Sequence, residues 1–382
     1  MTLVTAAPSK EIDWRAVRGE FPALEGRVFL NTATYGQLPR RATEAVAEHF
    51  RRRDETACND FLTWFDDAAA LRASIARWIS ASAEDIAFVT TASHALSTVL
   101  SGIEWRESDE IVTLEDEFPN QLYAAESRFG VRGVVCRWDE FEAAVSNRTR
   151  LVLLSSVNYK TGLRPDLRQI VPWLRDRGIL IYVDGTQSVG ALRFDCSAIK
   201  PDFLAVNAYK WMISPNGAGF FYVRPEVREW LRPNVIGWRS DYAWRSVEAL
   251  HQGAPRFPDS AEKYEGGMLA FPSLVAMQAS LTLFDEIGSD PIERRVLALT
   301  DRLRQGLGEL GFQAFPSQTS TLPSQISLMK LPGTDSSTLA RRLHAMNIDV
   351  SARREYLRVS PHFYNDEGDI DGLIEAAKRE LS

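Results

Sequence analysis

Ile179-Leu-Ile-Tyr-Val-Asp184-Gly-Thr-Gln187 is an apolar run that closes on an acid, and Phe203-Leu-Ala-Val-Asn207-Ala-Tyr209-Lys210 is a second apolar run that closes on a lysine. Both have the length and composition of strands, and both are followed by small or polar residues. If the two strands are parallel neighbours, a carboxylate and an amine meet at one edge of the sheet. Open α/β sheets bind ligands just outside the carboxyl ends of their strands. A lysine after a strand is ordinarily a solvated loop residue, and Asp-Gly is ordinarily a turn. The order and spacing of this pair, with Gln187 three residues after the acid and Trp211 directly after the lysine, argue for more than that.

Working outward, further strand-like runs alternate with helical ones. The expected strands are 86–90, 110–114, 133–137, 150–155, 179–183, 203–207 and 219–223. Helical patterns cover 39–53, with Pro39 suited to a helix start, and 61–79. Such alternation predicts an α/β fold with a mostly parallel, doubly wound sheet of seven strands and helices on both faces. Residues 1–30 read as an arm with a short helix around 13–19, packing near the last unit. Residues 31–270 form the large unit. Residues 225–270 within it are rich in Trp, Pro, Gly and Arg with little periodicity, as a binding loop would be. A linking helix follows at 271–289. Residues 290–382 read helix, strand, strand, helix, strand, strand, helix, a small α+β unit with its own core.

Composition excludes several classes. The 382 residues carry a net charge of −7. No basic cluster of the kind a nucleic acid needs is present, and Arg51-Arg52-Arg53 reads as a solvated helix face. No apolar stretch approaches a membrane span. The N-terminus lacks the basic start and apolar core of a signal peptide. Cys58, Cys136 and Cys196 are few, odd in number and far apart. That suits a reducing cytoplasm and opposes a disulfide framework or a metal site.

Pyridoxal phosphate (PLP) requires a lysine for its Schiff base and an acid for its pyridinium nitrogen. With Asp184, Gln187, Lys210 and Trp211 so ordered, the chain resembles fold-type-I PLP enzymes of the class V aminotransferase and cysteine desulfurase superfamily. The resemblance runs from Phe29 to the last helix and implies a PLP-transferase fold. It implies that Thr91-Ala92-Ser93-His94 is the phosphate-binding turn at a helix start. Ala92 and Ser93 stand where two hydroxyls are frequent. Asn207 and Tyr209 flank the lysine, and one of them adds a contact to the phosphate or to the lysine. Phe118 in Glu117-Phe118-Pro119 takes the ring-stacking position usually held by a histidine. An aromatic stacks but cannot exchange protons, which leaves proton transfer to Lys210. Gln187 matches the residue near the PLP hydroxyl.

The segment Tyr356-Leu-Arg358-Val-Ser-Pro-His-Phe-Tyr-Asn365 resembles the family's R-x-S-x-x-x-Y-N run, which implies that Arg358 forks onto the substrate carboxylate. Asn158 matches an asparagine that supports the carboxylate and the ring oxygen. Gly266-Gly267-Met268 resembles a glycine turn that reaches the neighbouring subunit's phosphate, with Met268 where threonine is common. This implies a homodimer with composite sites. The opening Phe29-Leu-Asn31-Thr-Ala-Thr-Tyr35-Gly36 adds Asn31 and Tyr35 to the substrate side, and looks most like the epimerase-like and C–S lyase branches. A desulfurase would need a cysteine shortly before Arg358, where Ile348-Asp-Val-Ser351-Ala-Arg-Arg354-Glu-Tyr-Leu-Arg358 has none. The expected activity is C–S lysis of an S-substituted cysteine. Transamination and epimerisation remain open, because all three begin with the same Cα proton. A catalytically silent relative would lack Lys210, Asp184 or Arg358, and all three are present.

Overall fold

The computed structural model describes residues 12–126, 130–251, 253–316 and 322–381. Its central sheet has seven strands: β1 (Ile86–Phe88), β2 (Glu110–Leu114), β3 (Arg132–Cys136), β4 (Thr149–Ser155), β5 (Leu180–Asp184), β6 (Phe203–Asn207) and β7 (Gly219–Val223). They lie in the order β1-β7-β6-β5-β4-β2-β3. Every neighbouring pair is parallel except those made by β7, which runs against both β1 and β6. Alternate residues of these strands feed two separate cores. Val152, Leu154, Ile181, Val183, Leu204 and Val206 face one, while Leu151, Leu153, Tyr182, Phe203 and Ala205 face the other. A sheet covered on both faces needs apolar residues at every position, which is why its central strands read as nearly unbroken apolar runs. Strand limits differ from the expected ones by one or two residues: β1 stops at Phe88, and β3, β4 and β5 each begin or end one residue away.

Residues 289–381 build a third core around Leu299, Leu303, Leu343, Leu357 and Ile370. Its sheet is antiparallel, in the order Ser351–Arg353, Tyr356–Val359, Ser327–Lys330, Gln313–Ala314. Between helix Ser336–Ala345 and the last helix, Glu367–Leu381, lie three strands, not the expected two. The extra one, Ile348–Asp349, pairs in parallel with Val28–Phe29 from the start of the chain. A two-residue strand has no alternation to read, so only its distant partner defines it. Arg18 reinforces this join through a 2.6 Å bond to Asp369. Between 225 and 270 the chain is irregular, with one short helix at Pro225–Arg228 and single turns at Val247–Ala249 and Ala261–Tyr264. Helix Phe271–Ile287 then leads into helix Ser289–Glu309.

Candidate active site

Parallel registry brings the site together. Ser155, Asp184 and Ala205 are consecutive cross-strand partners on β4, β5 and β6, so Asp184 stands at the carboxyl edge of the sheet. Lys210 follows three residues after β6. Both side chains are buried. Burial pushes the Asp184 carboxyl up, against bonds from Thr186 and the charge of Lys210. Burial pushes the Lys210 amine down to about 8; Asp184 opposes this, while Arg358 and Arg353 add to it. Among the described residues no ion pair joins the two, although each feels the other's charge.

The backbone around Lys210 is tightly held. A Cβ on Gly36 would lie 1.9 Å from the Lys210 carbonyl oxygen, and one on Gly190 would lie 2.2 Å from that of Trp211. Only glycine admits such approaches. The Trp211 indole donates to Gln187 Oε1 at 2.7 Å, and Gln187 Nε2 donates to the Ala33 carbonyl at 3.0 Å. Gln187 therefore spends its amide bracing Trp211 against the chain at Ala33.

Helix Ala92–Gly102 starts at the same edge, capped by Thr91, whose hydroxyl accepts from His94 N at 3.2 Å. Ala92 N donates to Asn207 Oδ1 at 2.9 Å, and the Tyr182 hydroxyl donates to the Ala92 carbonyl at 3.1 Å. These bonds pin the helix start to β5 and β6. The amide of Ser93, at the second helical position, has no carbonyl of its own helix to reach and is free for an anion. Burial pushes the His94 imidazole down.

Arg358 lies on strand Tyr356–Val359 and is buried. Its Nη1 donates to the Tyr159 carbonyl at 2.9 Å and its Nε to Ser351 Oγ at 3.1 Å. Its Nη2 donates to Thr34 Oγ1 and, at 3.4 Å, to Asn31 Oδ1. Every partner is neutral. Burial pushes the guanidinium down to about 9, with Arg353 adding to the effect. A buried cation held only by neutral oxygens lacks its counter-charge.

Phe118 places its ring 5.6 Å from Lys210 Nζ and packs edge-on against Tyr159, with centroids 5.2 Å apart. Tyr35 packs on Tyr209 at 4.8 Å. Asn158 is buried, but its amide is used locally. Nδ2 donates to the Asp116 carbonyl at 2.9 Å, and Oδ1 accepts from the amides of Lys160 and Thr161. It thus shapes the turn that carries Tyr159.

Gly267 and Met268 lie apart from this cluster. The carbonyls of Gly266 and Gly267 accept from Arg239, and a buried network of Arg72, Arg239 and Glu265 ties the segment to the large unit. Among the described residues no hydrogen bond or ring contact joins this segment to Lys210, Asp184 or Arg358.

Sequence reasoning did not identify Thr34 and Ser351, which hold Arg358, or Glu117 and His362. Glu117 is buried, accepts from Ser155 N at 2.7 Å and Ser155 Oγ at 2.5 Å, and sits next to Phe118. His362 is buried against Trp211. The signal for Glu117 was its place next to Phe118, whereas His362 meets Trp211 only through the fold. Among the described residues no group of three or more side chains could hold a metal, and no helix is long and apolar enough to cross a membrane.

These residues suit one kind of cofactor. A buried amine and a buried carboxylate stand at adjacent strand ends without pairing. A capped helix start presents an amide, an aromatic ring covers one side, and a buried guanidinium lacks an anion. A flat aldehyde with a ring nitrogen and an anionic tail answers each of these demands, and the set defines a PLP-dependent enzyme of fold type I. The sequence model of the aminotransferase class-V family matches residues 28–373, and the chain belongs to that family, whose members use PLP. It is 29% identical to isopenicillin N epimerase of Streptomyces clavuligerus, over 95% of this chain and 97% of that one. The cystine C–S lyase C-DES, solved with its product cysteine persulfide, superposes with a TM-score of 0.83 at 23% identity over 94% of this chain and 99% of that one. The apo cysteine desulfurase of Thermococcus onnurineus NA1 gives 0.85 at 20% identity over 98% of each chain. These two structural likenesses establish the fold.

Proposed function

We propose that the protein is a C–S lyase that removes a thiol from Cβ of an S-substituted cysteine without using a cysteine of its own. In this reading residues 31–270 hold the cofactor, 271–289 link, and 290–382 bring Arg358 to the substrate. Bound at Lys210, PLP supplies an electron sink for the bond to Cα. Arg358 holds the α-carboxylate by its fork, and Asp184 holds the proton on the ring nitrogen. Lys210, with its amine near neutrality, takes the Cα proton. The C–S bond then breaks, its electron pair leaves with sulfur, and water releases the remaining three carbons as pyruvate and ammonia.

The observation that carries this reading is that no thiol reaches the site. Cys136 ends β3 at the edge of the sheet, and Cys196 starts a short helix. Burial pushes the Cys136 thiol up to about 11 and that of Cys196 well above the usual range. Cys58 lies in the turn after helix Arg40–Thr56. A desulfurase instead needs a nucleophilic thiolate.

The test is to incubate holoenzyme with S-substituted cysteines and assay thiol, keto acid and ammonia together. Equal amounts of all three support the reading, and a Cys58→Ser, Cys136→Ser, Cys196→Ser variant should turn over unchanged. Alanine with a protein-bound persulfide would overturn it.

Epimerisation is the second reading, favoured by the hydroxyl-bearing pair Tyr35 and Tyr209, whose rings pack at a tilt, and by the Streptomyces relative. It requires deuterium incorporation with inversion at Cα and no carbon product. In both readings the protein is a homodimer in which residues 234–268 enter the partner's site. Ile236, Tyr242 and Met268 of that segment are each more than half exposed. Sedimentation showing an active, PLP-loaded monomer would exclude this assembly.

A further inference from the structure

The charges of two arginines, Arg358 and Arg353, are felt at Lys210. Strands Ser351–Arg353 and Tyr356–Val359 form a hairpin with Ser351 opposite Arg358 and Arg353 opposite Tyr356. Directly paired residues, and residues two apart on a strand, share a face. Ser351, Arg353 and Arg358 therefore point the same way, as the 3.1 Å bond from Arg358 Nε to Ser351 Oγ requires. That face looks onto Tyr159, whose carbonyl accepts from Arg358 and whose ring meets Phe118 beside Lys210. The charge of Arg353 is felt at both Lys210 and Arg358.

Arg353 is half-buried, yet among the described residues its only bond is to the neighbouring Ala352 carbonyl, at 2.8 Å. The acids of the surrounding elements are engaged elsewhere: Glu355 with Lys330, Asp349 with Arg27 and His344, and Asp116 with Lys160. Arg353 is therefore half-buried with no acid paired to it among the described residues. Lys210, Arg353 and Arg358 thus face a site whose nearby carboxyls are engaged, Asp184 with the cofactor in this reading and Glu117 with Ser155. An α-carboxylate neutralises Arg358 and leaves Arg353.

We propose that the substrate's side chain ends in a second anionic group and that Arg353 binds it. This deepens the proposed function and rests on reading Arg358 as the α-carboxylate site. Arg353 and Arg358 are diagonal neighbours across the hairpin, about 7–8 Å apart, a span that a carboxymethylated cysteine crosses between its two anions. Tyr159 and Phe118 supply an apolar wall for the atoms between. Burial also holds the Arg353 guanidinium below its ordinary range, the mark of a charge short of a counter-charge.

The test uses holoenzyme and calorimetric titration with amino acids that have no leaving group, so that binding is read apart from elimination. L-glutamate is compared with L-glutamine, and L-2-aminoadipate with its side-chain amide. The acid of the better-fitting pair should bind about tenfold or more tightly than its amide, as expected for a charge-assisted bond. Arg353→Gln should erase that preference while leaving affinity for the amide unchanged, and Arg353→Lys should keep part of it. Equal binding of acid and amide by the parent would overturn the proposal, as would equal weakening of both in Arg353→Gln. If the preference stands and S-carboxymethylcysteine releases no thiol, the lyase reading fails and the second anion survives. If neither member of either pair binds, both readings fall.

Discussion

The imidazole Nε2 of His362 lies 2.7 Å from the carbonyl oxygen of Trp211, the residue next to Lys210. A carbonyl only accepts, so Nε2 carries the hydrogen. Nδ1 then accepts the Phe363 amide at 2.8 Å. The ring is neutral, and burial pushes its pKa down to about 3. An unfolded chain binds a proton here below about 6.5, so the unfolded state holds more protons between about 6.5 and 3. This group's contribution to stability is whole above that window and is lost as pH falls through it. His362→Gln cannot be protonated, and its urea midpoint should fall less steeply with acid than the parent's. Parallel profiles from pH 7 to 4 would contradict this.

Glu117 acts in the opposite sense. Burial pushes its carboxyl up to about 7, with Asp184 adding to the shift and the Ser155 bonds opposing it. The folded state binds the extra proton, so stability is whole below the ordinary glutamate value of about 4.5 and declines as pH rises through about 7. Glu117→Gln keeps an acceptor for Ser155 N and avoids the buried charge. Its stability relative to the parent should therefore rise with pH, by roughly 3 kcal/mol at most across this window. Denaturant titrations at pH 5 and pH 8 measure the difference, and no change between them would count against a buried, raised Glu117.

Only a neutral amine attacks an aldehyde. With Lys210 brought down to about 8, the rate of PLP uptake by apoprotein should climb about tenfold per unit below pH 8 and level off above it. Stopped-flow absorbance reads this directly. An uptake rate still climbing at pH 10 would place the amine in its ordinary range. Lys210→Ala should show no lysine-bound cofactor absorbance at any pH.

Arg358→Lys replaces a fork by a point charge. Thr34, Ser351, Asn31 and the Tyr159 carbonyl would lose their shared donor. Amino acid affinity should drop by about tenfold to a hundredfold, while the cofactor absorbance of the resting enzyme stays. Unchanged affinity would make Arg358 a structural tie between the hairpin and the chain start.

Much of the site was legible because it follows local pattern. The runs at β5 and β6 are strands because they are apolar at every position, and their terminal residues must then stand at one edge. The uses of Gln187 and Asn158 were not legible. Their internal partners, Trp211 and Ala33 for one and Asp116 for the other, come from segments that local pattern does not bring together. The strand Ile348–Asp349 was missed for a similar reason, since its partner Val28–Phe29 lies at the other end of the chain.

The sequence by itself determined the doubly wound sheet, the positions of Asp184 and Lys210 on it, and the absence of a cysteine before Arg358. Each of these depends on residues close together along the chain, where side-chain period and turn chemistry act. Tertiary structure alone decided that Arg358 is held by Thr34 and Tyr159, that His362 fixes Trp211, and that no acid among the described residues pairs with Arg353. Those outcomes depend on which polar groups are left unpaired after distant segments have packed. Pairing of that kind is set by the fold as a whole, because a buried charge or amide takes whatever partner the packing brings within reach.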